Sequence, residues 1–446
     1  MNTIQNTETI TRYIVDFEEF EKHLNGQAGI SFHQIRQSAL ERFKELGFPH
    51  SRMEAWKYTN LAPLLKQKFD WQIPEISISE EKLKPFRIKG LDQVLVFING
   101  RFSEKFSQIH PAAPGVIIES LDTALISHTG LIESHLSKYA EFQDNAFTAL
   151  NTAFTRDGVF LYLPDNTVLD KSVHILNLIN APQGAFHTHP RLLLITGKNC
   201  EMDLVESHHA LTENTYFHNR VVEIDVRENS HIQHIKIQDE SKAAFGITNS
   251  YVKQERDSSY TSVHIDVGGA LIRNNLNIRL NGENGQASLY GFYLGSGEQH
   301  IDNSTFLDHA KPHCNSNELF KGILTDRAKG IFSGTILVRQ EAQKTNAFQS
   351  NKTLLLSEEA EIDSRPQLKI FADDVRCTHG ATIGQLDEQA LFYLRQRGIR
   401  EEDAQNMLRF AFAAEVLEKI KDEKIQKHIG HFINRRLKKE LSLKQK

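Results

Sequence analysis

The sequence is short of the features that mark several common protein classes. Its three cysteines, Cys200, Cys314 and Cys377, are too few and too far apart for a disulfide framework, which fits a reducing, cytoplasmic compartment. No apolar run approaches the roughly 20 residues that span a bilayer. The polar stretch from Met1 to Arg12 lacks the apolar core of a signal peptide, so no membrane association is expected. Positive charge is not in excess: 52 Lys and Arg stand against 57 Asp and Glu, a formal charge of -5, which leaves no basic field to attract nucleic acid. No G-x-x-x-x-G-K-[ST] loop occurs, so ATP is not expected to bind this chain through a P-loop.

What is present reads as a globular chain of 446 residues, 39% hydrophobic and 24% charged, long enough for two or three domains. Residues 1–154 read as mainly helical. Ile35, Ala39 and Phe43 form a stripe, and Leu131 to Phe154 is expected to be helical as well. A buried strand is predicted over Val94 to Asn99. The compact run from Ser51 to Asn60, S-R-M-E-A-W-K-Y-T-N, is read as an Arg-Glu pair and a Trp fastening a helical hairpin to its neighbour.

From residue 155 to 384 the texture changes to short strands separated by turn residues such as Pro164-Asp165-Asn166, Gly197-Lys198-Asn199 and Arg227-Glu228-Asn229. Alternating apolar sets, Val222 and Ile224, Val263 and Ile265, Leu276 and Ile278, are expected to face inward. A sandwich, a barrel or a stacked β-solenoid would all fit, since no fixed period stands out. Residues 385–446 are helical. One stripe runs through Met407, Phe410, Ala411, Ala414 and Leu417, and a second through Ile425, Ile429, Phe432, Ile433 and Leu437. Ten Lys or Arg against three Asp or Glu between Lys419 and Lys446 make either a solvated helix face or a docking surface for an acidic partner.

The candidate site lies where strand pattern gives way to helix pattern, in Gln367 to Arg397. Cys377 and His379 are two apart and would project from one face of a strand, ahead of the small-residue run Gly380 to Gly384. A thiol and an imidazole are borderline-soft ligands, but zinc and iron-sulfur centres need about four. The pair is either packed structure or part of a site completed elsewhere. Two other classes fit parts of the pattern. A β-solenoid enzyme such as a polysaccharide lyase or an acyltransferase would need a cleft with paired carboxylates or a positioned His, and Asp373-Asp374 on a strand would face opposite ways. A resident metal could use His187, His189, His208 and His209, although no further ligand stands at regular spacing.

Taken together, the motifs K-G-I-L-T-D-R-A-K-G-I-F-S-G-T-I-L-V from Lys321, A-Q-K-T-N-A-F-Q-S-N from Ala342, and D-D-V-R-C-T-H-G-A-T-I-G-Q-L-D with L-F-Y-L-R-Q-R-G-I resemble the shared core of the SufB and SufD family. These are paired scaffold subunits of the Suf iron-sulfur cluster assembly machine. Gly380 and Ala360 stand where SufB members carry an acidic residue and a cluster-building cysteine, and R-M-E-A-W-K-Y-T is similar to the start of SufD members, so the resemblance is to the SufD branch. It implies a right-handed parallel β-helix core over 155–384, flanked by an N-terminal helical domain, 1–154, and a C-terminal one, 385–446. It further implies a non-catalytic scaffold that pairs with SufB and binds the SufC ATPase through its C-terminal helices. His379 and Cys377 would contribute to a transient iron-sulfur cluster at the SufB interface, with none expected in the isolated chain, which could pair with itself.

Overall fold

A computed structural model describes residues 3–24, 27–73, 78–110, 112–181 and 184–442. Met1, at the polar start, and Lys444 and Lys446, in the basic C-terminal stretch, lie outside the described residues.

The first part of the chain carries α1 (Thr3–Glu21), α2 (Phe32–Leu46), α3 (Ala62–Leu65), α4 (Glu80–Leu83), β1 (Gln93–Ile98), β2 (Arg101–Phe102), β3 (Ile117–Ser120), α5 (Leu121–Ser127), α6 (Thr129–His135) and α7 (Ala146–Phe154). The coils begin with β4 (Gly158–Leu163), β5 (Val173–Ile179), β6 (His187–Thr188) and β7 (Arg191–Thr196). They continue through β8 (Glu201–Ala210), β9 (Phe217–Val226), β10 (His231–Asp239), β11 (Phe245–Gln254), β12 (Ser259–Asp266) and β13 (Leu271–Leu280). The last are β14 (Gln286–Gly295), β15 (His300–His309), β16 (Asn315–Leu324), β17 (Lys329–Val338), β18 (Asn346–Leu355), β19 (Glu361–Ile370) and β20 (Arg376–Gly384). Three helices close the chain: α8 (Glu388–Gln396), α9 (Glu401–Leu417) and α10 (Glu423–Ser442).

Successive strands alternate between two sheets. Even-numbered strands from β8 to β20 extend a sheet that begins with β2, β1 and β5, and odd-numbered strands from β7 to β19 extend a second, which begins with β3 and β4. Pairing along the coils is parallel and in register, as in Gln286 with Asn315 and Asn315 with Asn346. The core is thus a parallel β-helix of about eight turns with helices before and after it. No helix among the described residues is long and apolar enough to cross a membrane.

Four layers follow from this arrangement. Between the sheets lies a core that includes Leu204, Val222, Ile224, Leu276, Ile278 and Phe320. The outer face of the second sheet, with Phe217, Phe245 and Ile247, is covered by Tyr13, Phe43 and Phe147 of the N-terminal helices. The outer face of the first sheet, with Val205, Ile235, Val263, Ile265 and Phe292, is covered by Val416, Ile425, Ile429 and Ile433 of α9 and α10. Val263 and Ile265 therefore face outward, contrary to the expectation that they point in. Alternation identifies a buried face, but on a strand buried on both sides it does not say which face is the interior. On β12 the inward positions are Tyr260, Ser262, His264 and Asp266, of which Tyr260 meets His234 Nδ1 at 3.0 Å and Asp266 accepts from Asn274 Nδ2 at 3.0 Å. Nearby in the interior, Lys236 Nζ donates to Asn274 Oδ1 at 2.5 Å and also pairs with Asp266.

Three more expectations meet the structure with different outcomes. The helix predicted over Leu131 to Phe154 breaks after His135, because the buried Glu223 carboxylate accepts from the backbone N–H groups of Ser137, Tyr139 and Ala140 at 2.9, 3.1 and 3.0 Å. The first C-terminal stripe holds only in part: Leu417 is buried and Phe410 packs against the same core, but Met407 and Ala411 are exposed, and α9 also buries Ala404, Asn406, Arg409, Ala413 and Val416. The second stripe is buried as read. In the Ser51 to Asn60 run, Glu54 pairs with Arg365 of β19, Trp56 lies under the Arg273 guanidinium at 4.0 Å, and Thr59 donates to Asp302. That segment does fasten the N-terminal helices, where Trp56 packs on Phe147, to a neighbour, which is the flank of the solenoid, and the arginine that pairs with Glu54 comes from the solenoid.

Candidate functional site

The inner columns of the solenoid lead to the predicted pair. Register matches Ala347 with Cys377, Gln349 with His379, Asn351 with Ala381 and Thr353 with Ile383. Ala347 belongs to the inner core and Cys377 packs against it, so Cys377 and His379 occupy the inward face of the last rung. The structure thus brings the two together on one face, as their spacing implied. Cys377 is half-buried and His379 exposed. Burial pushes the Cys377 thiol up, and the Ala347 backbone N–H offsets part of that rise, so the free thiol keeps its proton near neutrality until a cation displaces it.

Nothing in the described chain caps this end. β20 is the last strand of one sheet and β19 the last of the other, leaving two open backbone edges. Large apolar side chains stand exposed nearby in the chain: Phe371 and Phe392 at 64%, Tyr393 at 57%, Ile383 at 52% and Met407 at 49%. Helix α8 is well started, with Asp387 accepting from the N–H groups of Gln389 and Ala390 at 2.9 and 3.2 Å, and well stopped at Gly398 with φ +81°. Yet no side chain of α8 is fully buried: Ala390, Leu391 and Leu394 are only half-buried, and among the helices α8 packs chiefly against α9. The outer side of α8 and the end of the sheets together leave a large apolar surface in water.

The other candidate residues are placed elsewhere. His187 and His189 are buried against each other, Nε2 of His189 lying 2.8 Å from Nδ1 of His187, and Asn219 donates to the far side of His189. His208 pairs with Glu206 at 2.9 Å, while His209 packs on Phe86. The four imidazoles do not converge, and among the described residues no group of three or more His, Cys, Asp or Glu could hold a metal ion. Asp373 and Asp374 lie in the turn between β19 and β20, not on a strand as supposed, and Asp374 pairs with Lys344. Cys314 is buried, its thiol pushed up to about 11, and Cys200 donates to the Pro164 carbonyl at 3.1 Å. Both are packed structure.

The sequence reading missed Glu318, inward and buried on β16 two rungs before His379, in the column that passes through Gln349. Its signal was the alternation Ser316, Glu318, Phe320, in which a carboxylate at an inward position looks like a surface residue.

The fold and the site define a β-solenoid protein with a thiol and an imidazole at an uncapped end. Comparison with known proteins gives the family. The model for the SUF system FeS cluster assembly SufBD core domain matches residues 177–412, and that for the SufBD protein N-terminal region matches residues 7–175. The chain is 30% identical to the iron-sulfur cluster assembly protein SufD of Escherichia coli over 93% of its own length and 95% of the relative's. It is 32% identical to an iron-sulfur cluster assembly SufBD family protein of Synechocystis, over 86% of each chain. The SufD protein of Bacillus subtilis is 26% identical over 91% of this chain and 93% of its own. The chain belongs to the SufBD family.

Proposed function

We propose that this chain is a non-catalytic scaffold subunit for iron-sulfur cluster assembly in the reducing cytoplasm. In this reading it pairs through its open solenoid end with a SufB-type subunit, and Cys377 and His379 are its share of a site for the nascent cluster. The observation that carries the proposal is the uncapped last rung, where the two candidate ligands sit beside two open strand edges and an exposed apolar surface. A thiolate and a neutral imidazole suit ferrous iron or a cluster edge, and two ligands from one chain leave coordination positions for ligands from another. The cluster is the cargo. A site shared across an interface holds it less tightly than a closed four-cysteine cage, which suits a protein that must pass it on.

A SufC-type ATPase would dock on the C-terminal helices. The apolar stripes of α9 and α10 are largely used in covering the first sheet, so the surface left for docking is α8 with Phe392 and Tyr393, together with Met407. Without a SufB-type partner, the same open end would pair two copies of this chain.

The test is co-expression with the SufB-type and SufC-type subunits and anaerobic purification. The parent is expected to co-purify with both and to carry iron and sulfide. A Phe371→Asp, Ile383→Asp double variant should remain folded but lose the SufB-type subunit. Undiminished pairing by the double variant would contradict the placement of the interface.

A further inference from the structure

Beneath His379 the interior of the solenoid holds a polar file that packing alone does not explain. Leu289, Glu318, Gln349 and His379 occupy one inward column on successive rungs. Glu318 is 1% exposed. Its carboxylate accepts from the Thr305 hydroxyl at 2.6 Å and from Gln349 Nε2 at 2.9 Å. Burial pushes the Glu318 carboxyl up to about 7, and the two hydrogen bonds pull the other way. The Gln349 side chain is 3% exposed, and with Nε2 committed to Glu318, its Oε1 is buried with no protein partner. A buried carbonyl oxygen left unpaired is costly. Space for this amide is reserved from the neighbouring sheet: a Cβ at Gly334 would stand 2.1 Å from Gln349 Nε2.

The next side chain up the column is His379, on a strand about 4.8 Å away. A neutral imidazole has one N–H and one lone pair, and whichever nitrogen is hydrogen-bonded decides where the lone pair points. We propose that Glu318 and Gln349 are positioning residues for His379: Glu318 orients the Gln349 carboxamide, and Oε1, unpaired with the His379 ring as it stands in this structure, accepts the N–H of that ring once it turns over the column, so that the lone pair on the other ring nitrogen faces out of the open end. This is the arrangement by which an outer hydrogen bond fixes the tautomer and orientation of a ligating imidazole. The inference rests on the reading of His379 as a ligand for its purpose, but its geometry does not depend on iron or on a partner chain.

The test is therefore made on the full isolated chain, free of metal, with ring-¹⁵N histidine. The His379 signals are identified by their absence from His379→Asn, and the tautomer ratio is measured at pH 9, where imidazoles in general are neutral. The parent is expected to hold one tautomer by about tenfold or more. Glu318→Gln, which keeps size and hydrogen-bonding capacity but not the charge that fixes the amide, should lower the ratio severalfold. Gln349→Leu should abolish the preference, and Gly334→Ala, which displaces the amide without removing it, should do the same while leaving the column's chemistry intact. An unchanged ratio in Gln349→Leu or in Gly334→Ala overturns the contact with His379, and an unchanged ratio in Glu318→Gln overturns the part given to Glu318. Because no cluster enters the measurement, its failure would leave the scaffold reading standing. Loss of the scaffold reading would likewise leave the tautomer result standing.

Discussion

The middle and the end of the solenoid are made from the same kind of strand and behave in opposite ways. On β10, His234 faces inward between two neighbouring rungs, with Nε2 3.0 Å from Glu206 and Nδ1 3.0 Å from Tyr260. Val205, Ile235 and Val263 on the outer face of the same sheet lie under α9 and α10. On β20, His379 occupies the same column with a rung on one side only, and no helix covers the strand. A polar residue enclosed on all sides is committed to the fold. The same residue type on the last rung has a neighbour on one side only, which leaves its outward side free for what the fold does not supply.

The comparison can be broken first at the covering helices. Deleting residues 385–446 uncovers Val205, Ile235, Val263, Ile265, Phe292 and Ile323, a contiguous apolar face that the sheet cannot leave in water. The truncated chain is expected to be insoluble or to aggregate, which soluble yield and size-exclusion chromatography would show. α9 and α10 are thus part of the core, and of the deleted segment only α8 stands outside it.

Next in size is the enclosed ion pair. Arg191 donates from Nε and Nη2 to Glu223 Oε1 at 2.9 and 2.6 Å, both side chains being fully buried. Glu223→Ala would leave the guanidinium unpaired and free three backbone N–H groups, at a cost of about 3–5 kcal/mol. A fall in denaturant midpoint of matching size is expected.

A smaller effect tests the last enclosed carboxyl. Because Glu318 is pushed up to about 7 in the folded chain, from an ordinary 4.5, the folded state holds this proton more tightly than the unfolded state does. Its contribution is most favourable below the ordinary value and is lost as pH rises through the folded value. Glu318→Gln removes that loss. The variant should match the parent near pH 4.5 and exceed it at pH 8 by on the order of 3 kcal/mol, read from denaturant unfolding at the two pH values.

How much of this was legible varied by element. The candidate pair was visible because Cys377, His379 and the small-residue run keep strict strand spacing up to the helix signal. The solenoid period was harder, because register offsets vary: Ser259 pairs with Gln286, 27 residues on, but Asn315 with Asn346, 31 on. A better signal lay in the turns. Asn166, Asn199, Asn229, Asp257 and Asn284 all adopt positive φ at one corner of successive coils, and Asn199 and Asn229 each donate from Nδ2 to the asparagine one coil back, at 2.8 and 2.9 Å. The series fades at His313 and Lys344, which take the same conformation with different side chains. The inward direction of β12 was not legible, since Val263 and Ile265 outscore Tyr260 and His264 in any apolar pattern. Only the helices packed outside explain why they face outward. Glu318 and Gln349 were invisible for the same reason, because polar residues inside a solenoid are specified by partners a coil away.

The smallest expected change in stability accompanies the largest expected change in function. His379 is exposed, so His379→Ala should melt within a few degrees of the parent, in line with an exposed substitution of about 0.5 kcal/mol. Cys377→Ser, which keeps the size but replaces a soft ligand, should act in the same direction more weakly. The decisive measurement is iron and sulfide analysis of the anaerobically purified three-subunit complex carrying His379→Ala: the account expects normal assembly with little or no cluster, and a full complement of iron and sulfide in that complex would contradict it.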